Sequence, residues 1–334
     1  MAGNNEHPDE SLVCDTIRAC TDWRENGNGF GATSSVLGSG AVEECEKLFS
    51  ALHANRPSLL TASATYGIRS ALKAAGVVEG DIVLMPEYDW PASFAAVLSL
   101  GAIPKLVAVD PETLTLDPKA IRKVVFKKAK AICATHIYGV PADIPAIRAE
   151  VGGSVAIIED CAQALGSSLD GRKTGTLDSD YAVFSFGPGK QVDCGEGGMI
   201  LAKDWEGFER ILNETQHPVR QINNGGGDNV NYCGLSIRPH PLTAILLLYK
   251  MERYDISGRQ TEFRQLAKRL SEEGVYHLKG IDERRQNAQR RIPVRLDARH
   301  KNLSNKYTYI QSGAFDLNTM RQPEDSILLI SEAS

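Results

Sequence analysis

The stretch Val155-Ala156-Ile157-Ile158-Glu159-Asp160 decides the fold. An unbroken apolar run of this length reads as a strand covered on both faces, the usual state of strands in parallel sheets. An acid closes it, so Asp160 stands at the strand's carboxyl end, where open α/β sheets bind their ligands. Similar short runs recur at residues 59–62, 81–86, 105–109, 131–136 and 181–186. Stretches long enough for crossover helices, such as 91–100, 118–128 and 144–151, lie between them, and 65–75 has helical spacing that stops at Gly76. The alternation predicts an α/β fold with a mostly parallel central sheet flanked by helices.

The 334 residues suffice for about two domains. Residues 1–40 read as an N-terminal segment, with 26–40 as loop and regular amphipathic structure starting near Val42. Residues 41–235 read as the large α/β domain. Residues 236–334 read as a small α+β domain with helices over 241–254 and 261–274, a charged stretch at 284–291, and strands at 292–296 and 327–330. A loop with Gly225-Gly226-Gly227 precedes the first of those helices.

A net charge of −5 argues against nucleic acid as the default partner. The longest apolar runs fall far short of the roughly 20 residues that cross a bilayer, and residues 1–10 lack the pattern of a secretory signal. A cytoplasmic protein is expected. The seven cysteines have no metal-knuckle spacing and read as reduced structural thiols. No dedicated metal site is expected from the histidines either.

Several residues could carry chemistry. Lys190 ends Phe184-Ser185-Phe186-Gly187-Pro188-Gly189-Lys190, a strand running into a turn, and Gly195-Glu196-Gly197-Gly198 follows. A partly desolvated amine on such a turn is the kind that forms Schiff bases. The turn is no nucleotide P-loop, because Phe184 and Gln191 stand where that motif needs Gly and Ser or Thr. Gly27, Gly29 and Gly31 follow no strand and give only a weak dinucleotide signal. Ser63-Ala64-Thr65 opens a helix and could hold a phosphate, and Trp90 lies on the loop after the 81–86 strand. Read singly, each has a plain alternative: Asp160 as a helix cap, Lys190 as a solvated lysine, Ser63 to Thr65 as an ordinary N-cap, Trp90 as core. Together, an acid at a strand end, a lysine on a later turn, a phosphate cradle and an aromatic plate are the set that pyridoxal phosphate needs.

At these residues the chain resembles the DegT/DnrJ/EryC1/StrS family of fold-type-I, pyridoxal-phosphate-dependent sugar aminotransferases. The motifs, in order, are Gly38-Ser39-Gly40, Ser63-Ala64-Thr65, Pro86-Glu87-Tyr88-Asp89-Trp90, His136-Ile137-Tyr138-Gly139, Glu159-Asp160-Cys161-Ala162-Gln163, Ser185 to Lys190, and Gly195-Glu196-Gly197-Gly198. The match runs from about Leu37 to Asp204 and weakens through Tyr254. The resemblance implies that Lys190 forms the Schiff base and moves the proton, and that Asp160 pairs with the pyridinium nitrogen. It implies that Trp90 stacks on the ring, that Gln163 lies beside its other face and hydroxyl, and that Ala64, Thr65 and Ser185 contact the phosphate. A homodimer with shared active sites is also implied, acting on an amino donor, glutamate or glutamine, and a keto-sugar acceptor in antibiotic or glycan biosynthesis.

Three departures are visible. Ala64 replaces the family's Gly, and the later Gly-Tyr-Asn-Tyr-Arg motif is Gly234-Leu235-Ser236-Ile237-Arg238 here. Ser236 therefore stands where the family's Asn reaches the neighbouring subunit's phosphate, with Asn229 and Asn231 as possible substitutes. The region after about residue 280 is shorter than expected of the family. Two other readings stay open: a different pyridoxal-phosphate reaction, such as elimination or carbon–carbon bond formation, and a non-catalytic regulator that keeps the fold.

Overall fold

A computed structural model describes residues 8–28, 36–124, 128–224, 230–274, 284–289, 292–295, 307–311, 315–316 and 327–332. Gly29, Gly31, the Gly225-Gly226-Gly227 loop and Asn229 lie outside the described residues, as do residues 290, 291 and 296 of the predicted C-terminal stretches. Helices α1 (Pro8–Glu25) and α2 (Ala41–Leu52) precede strand β1 (Ser58–Thr61) and helix α3 (Ala64–Ala74). Next come β2 (Ile82–Pro86), β3 (Tyr88–Asp89), α4 (Pro91–Leu98), β4 (Ile103–Val107), α5 (Pro118–Ile121) and β5 (Ala129–Thr135). Helix α6 (Ile144–Val151) leads to β6 (Ala156–Asp160), β7 (Ser168–Leu169), β8 (Arg172–Lys173), β9 (Tyr181–Ser185) and β10 (Gly198–Ala202). Helices α7 (Trp205–Thr215), α8 (Pro218–Asn223), α9 (Pro241–Glu252) and α10 (Ile256–Glu272) follow. Strands β11 (Arg285–Gln286), β12 (Ile292–Arg295), β13 (Tyr307–Gln311), β14 (Phe315–Asp316) and β15 (Ile327–Glu332) close the chain.

Two compact units alternate along the sequence. Met1–Ser70 with Ser185–Tyr254 forms one, and Ala71–Phe184 with Asp255–Ser334 forms the other. The second unit holds the parallel strands the sequence predicted, in the order β4-β2-β5-β6-β9. Their registers bring Thr135 opposite Asp160 and Val183 opposite the same residue on the other side. Strands β5 and β6 are buried almost throughout, which explains why they read as continuous apolar runs rather than alternating ones. Helix α6 starts where the Asp143 carboxylate accepts from the Ala146 N–H at 3.1 Å. It buries Ile144, Ile147 and Val151 against Leu84, Ile132, Ala134 and Ile157, each full side-chain burial contributing roughly 1.5–3 kcal/mol.

The C-terminal stretch of this unit forms an antiparallel sheet, β12-β15-β13, and β14 pairs with β3. The sequence indicated β12 and β15. It gave no sign of β13 and β14, and read β11 only as charged.

In the first unit β1 pairs antiparallel with β10 from Ser58↔Leu201 to Thr61↔Gly198. Helix α3 ends as predicted: Gly76, at φ +83°, turns its N–H back to the Lys73 carbonyl, a left-handed position that costs glycine nothing. Helix α1 was not expected, since structure was predicted to start near Val42. Its apolar residues Leu12, Val13, Ile17 and Cys20 give a weak stripe, and the Gly- and Asn-rich loop that follows masks them. Helix α9 fixes it, through ion pairs of 3.3 Å from Lys250 to Asp15 and from Arg253 to Asp22.

Beneath β1 lies a buried ion pair. Arg220 Nη2 donates to Glu46 Oε2 at 2.6 Å, and the other Glu46 oxygen accepts from the Leu60 N–H. Burial outweighs these partners and holds the Glu46 carboxyl above the usual carboxylate range. Arg220→Met strands that carboxylate and should cost about 3–5 kcal/mol. With a folded pKa raised further above the unfolded value, the loss is expected to be larger at pH 8 than at pH 5, read from urea unfolding at the two pH values.

Candidate active site

Each unit gathers part of the predicted set. In the first unit, Ser63 bridges to Gly197, and Ser63 Oγ accepts from the Tyr66 N–H at the start of α3. Gly198 lies against this turn so closely that a Cβ there would stand 2.7 Å from the Ala64 nitrogen. The absent side chain at Gly198 is what lets β10 run beside the helix start. Ala64 is buried and Thr65 half-buried.

Lys190 belongs to the same unit and is neither core nor solvated: it is half-buried. Its N–H donates to the Gly187 carbonyl at 3.2 Å. The turn is clasped by Asp193, whose two carboxylate oxygens accept from the N–H groups of Gly189 and Gly195, both at 2.8 Å. The Asp193 carbonyl in turn accepts from Lys250 Nζ of α9 at 2.7 Å. Ser185 sits at the end of β9, its Oγ accepting from the Gly187 N–H. Ser236 is exposed, in a left-handed turn at φ +49°. Asn231, the described substitute for it, is engaged within its own chain: its amide donates to the Asn213 carbonyl and its oxygen accepts from the Cys233 N–H.

The second unit holds the acids. Asp160 is 5% exposed, and its Oδ1 accepts from the Ala162 N–H at 2.9 Å. No helix follows β6 directly; the next element is the strand β7. The capping alternative for Asp160 therefore falls. Trp90 is 45% exposed at the start of α4, which removes the core alternative as well. Gln163 Oε1 accepts from the Tyr138 N–H at 2.7 Å, and the Gln163 carbonyl accepts from the Gln289 amide.

Sequence reading passed over several residues beside these. Asp89, next to Trp90, is completely buried and accepts from Trp90 N at 2.7 Å, Ser93 Oγ at 2.6 Å and Thr135 Oγ1 at 2.8 Å. Burial and the charge of Asp160 push its carboxyl up to about 7. Asn287 donates to the Tyr138 carbonyl, so the stretch read only as charged in fact braces the strand ends. The quoted Pro86-to-Trp90 motif contained Asp89. Its only signal was a second acid, after Glu87, just beyond the apolar run of β2.

On the opposite side of β6, Glu159 is a hub. It accepts from His136 Nε2 at 3.0 Å, from the Gly175 N–H at 2.8 Å, from Ser179 Oγ, and from the Cys161 thiol. His136 Nδ1 accepts from the Ala142 N–H. His136, Glu159 and Cys161 lie close enough to suggest a metal cluster, yet these contacts commit the histidine's two nitrogens to Ala142 and Glu159.

Comparison with known proteins gives this arrangement its class. The model of the DegT/DnrJ/EryC1/StrS aminotransferase family matches residues 33–312. The chain belongs to this family and is a pyridoxal-phosphate-dependent aminotransferase. The match extends well past Tyr254, where the resemblance had faded in the sequence. DesV from S. venezuelae, solved in complex with a ketimine intermediate, is similar at TM-score 0.76 and 23% identity over 97% of this chain and 90% of that one. 3-Amino-5-hydroxybenzoic acid synthase is similar at TM-score 0.71 and 28% identity, over 88% of this chain and 75% of that one. NtdA from Bacillus subtilis, with bound pyridoxamine phosphate, shows TM-score 0.73 and 21% identity, over 96% and 77% of the two chains.

Removing the hub charge tests its structural role. Glu159→Ala leaves the donors of His136, Gly175 and Ser179 unpaired in the core, at about 1–3 kcal/mol each. The expected result is a loss of several kcal/mol in urea unfolding, or no soluble protein.

Proposed function

We propose that the chain transfers an amino group from glutamate or glutamine to a keto acceptor, a sugar or another biosynthetic ketone, with Lys190 as the amine that bonds the cofactor. Pyridoxal phosphate supplies an aldehyde carbon for that amine and a protonated ring that draws electrons from the carbon losing its proton. The residues fit such a group on two counts. A phosphate needs backbone N–H groups that no Cβ crowds, and Gly198 leaves this space beside Ala64, at the positive end of α3. A ring cation needs a buried acid as its partner, and Asp160 is a buried carboxyl.

Asp160 carries the reading. Burial first, and then the charge of Asp160, raise both Asp89 and the Cys133 thiol, and a cationic ring nitrogen would offset that charge. Lys190 would take the proton from the donor and return it to the acceptor, and must be neutral when it does so. Lys190 is half-buried, on a turn clasped by Asp193. Trp90 offers an exposed ring face for stacking, Gln163 a polar neighbour held by Tyr138, and Thr65 and Ser185 hydroxyls for the phosphate. Ser236, exposed in its left-handed turn, would reach the phosphate of a second copy in a homodimer. The reaction would run in the cytoplasm, in keeping with seven free cysteines. The likeness to 3-amino-5-hydroxybenzoic acid synthase supports a non-sugar ketone as the second class of acceptor.

Purified protein with added cofactor should show a visible absorption band and release 2-oxoglutarate from glutamate when a suitable ketone is present. Lys190→Ala is expected to lose the band and to slow transfer by at least about a hundredfold; a variant that keeps full transfer would overturn the role of Lys190. Gly198→Val should push the Ser63–Ala64 turn away from β10, lowering stability by about 1–3 kcal/mol in urea unfolding and weakening cofactor binding about tenfold or more.

A further inference from the structure

Asp89 is a fully buried carboxyl that interacts with Asp160 and to which the proposed reaction gives no task. It sits on β3, and three donors reach it: the Trp90 N–H on one oxygen, Ser93 Oγ of α4 and Thr135 Oγ1 of β5 on the other. Thr135 is the register partner of Asp160 on the neighbouring strand. Partners in a parallel ladder project to the same face, so Thr135 and Asp160 share a face and Thr135 ties Asp89 to it. Cys133, two residues back on that face, feels both carboxylates.

The other groups around Asp89 do not neutralise it. Tyr88 on its own strand pairs its hydroxyl with that of Tyr138. The strand paired with β3, β14, sets residue 315 in register with Asp89 and residue 316 in register with Tyr88. Asp89 and Asp160 are both buried and feel each other's charge, and two such carboxylates cannot both ionise cheaply; such pairs hold a single proton.

We propose that Asp89 and Asp160 form a buried pair holding one proton between them, and that Asp89 is a positioning residue which sets the charge Asp160 presents to the cofactor's ring nitrogen. This rests on the reading of Asp160 given above. When Asp89 carries the proton, Asp160 is fully anionic and the ring stays protonated. When Asp89 loses it, a second negative charge would deepen the field that Asp160 presents to the ring nitrogen.

The sign of the pH effect follows from burial and Asp160, which raise the folded Asp89 carboxyl to about 7 from an ordinary 3.8. The folded protein then binds a proton that the unfolded chain releases, so stability is fully present at low pH and is lost as pH rises through this window.

The test uses the whole chain in two forms. In the apoprotein, urea midpoints are followed from about pH 5 to about pH 9, where Asp89→Asn should flatten the decline seen in the native sequence. In the holoenzyme, the visible band is titrated over the same range. The native protein should show a spectral step near neutrality that is absent in Asp89→Asn. Thr135→Val and Ser93→Ala keep the acid and remove one donor to its ionised form, so each should move the step to higher pH. These two variants keep the test decisive if Asp89→Asn does not fold. Superimposable stability curves, or a band whose pH profile no variant moves, would overturn the proposal. Failure of the cofactor reading looks different: no visible band forms with cofactor in the native protein, and the apoprotein curves alone then decide whether Asp89 holds the proton.

Discussion

Two consecutive carboxylates at the end of β6 face opposite ways, and the chemistry depends on that alternation. Successive side chains of a strand point to opposite faces of the sheet. Glu159 therefore meets His136, Gly175, Ser179 and Cys161 on one side, while Asp160 shares the other with Thr135 and, through it, Asp89. Every donor around Glu159 is spent on holding the strand ends together. Asp160 is left as the acid whose charge is felt by titratable neighbours. A slip of one residue in the β5–β6 register would exchange the two roles. The buried hub on one face thus keeps Asp160, the acid proposed to meet the cofactor, on the other.

The lysine is positioned by a separate device. A turn with two glycines and a proline has little conformational preference that would hold Lys190 in place, and Asp193 supplies it by accepting from N–H groups on both sides of the lysine. Lys250 then ties that turn to α9, and its second contact, with Asp15, ties α9 to α1. Helix α1, which looks peripheral, is thus joined to the Lys190 turn through Lys250, by one ion pair and one hydrogen bond to a main-chain carbonyl.

The parallel strands were legible because a strand buried on both faces has no choice but to be apolar. Asp160 and Lys190 were legible because acids and lysines at strand ends and broken turns are unusual enough to need a reason. The same logic explains the misses. Helix α1 buries little of itself beyond Ala19, so its sequence had no need of a clear stripe, and the contacts that fix it come from residues more than two hundred positions away. Strand β14 is two residues long and pairs with β3, more than two hundred positions away, and no local pattern records such a partner. Asp89 was written in a quoted motif, yet its meaning comes from Thr135 and Asp160, which only the sheet brings near it.

Tyr138 shows how a motif becomes geometry. It follows β5 with φ at +55°, a conformation costly for a bulky residue. Three bonds oppose the cost: its N–H donates to Gln163, its carbonyl accepts from Asn287, and its hydroxyl meets that of Tyr88. Each partner comes from a different part of the second unit, so the turn after β5 is held only once β3, the loop after β6 and the segment before β12 are all in place. A strain held by so many elements is hard to relax locally. The spacing from His136 to Gly139 and from Asp160 to Gln163 in the sequence is therefore the imprint of one rigid corner, in which Gln163 is fixed by the same bond that keeps Tyr138 strained.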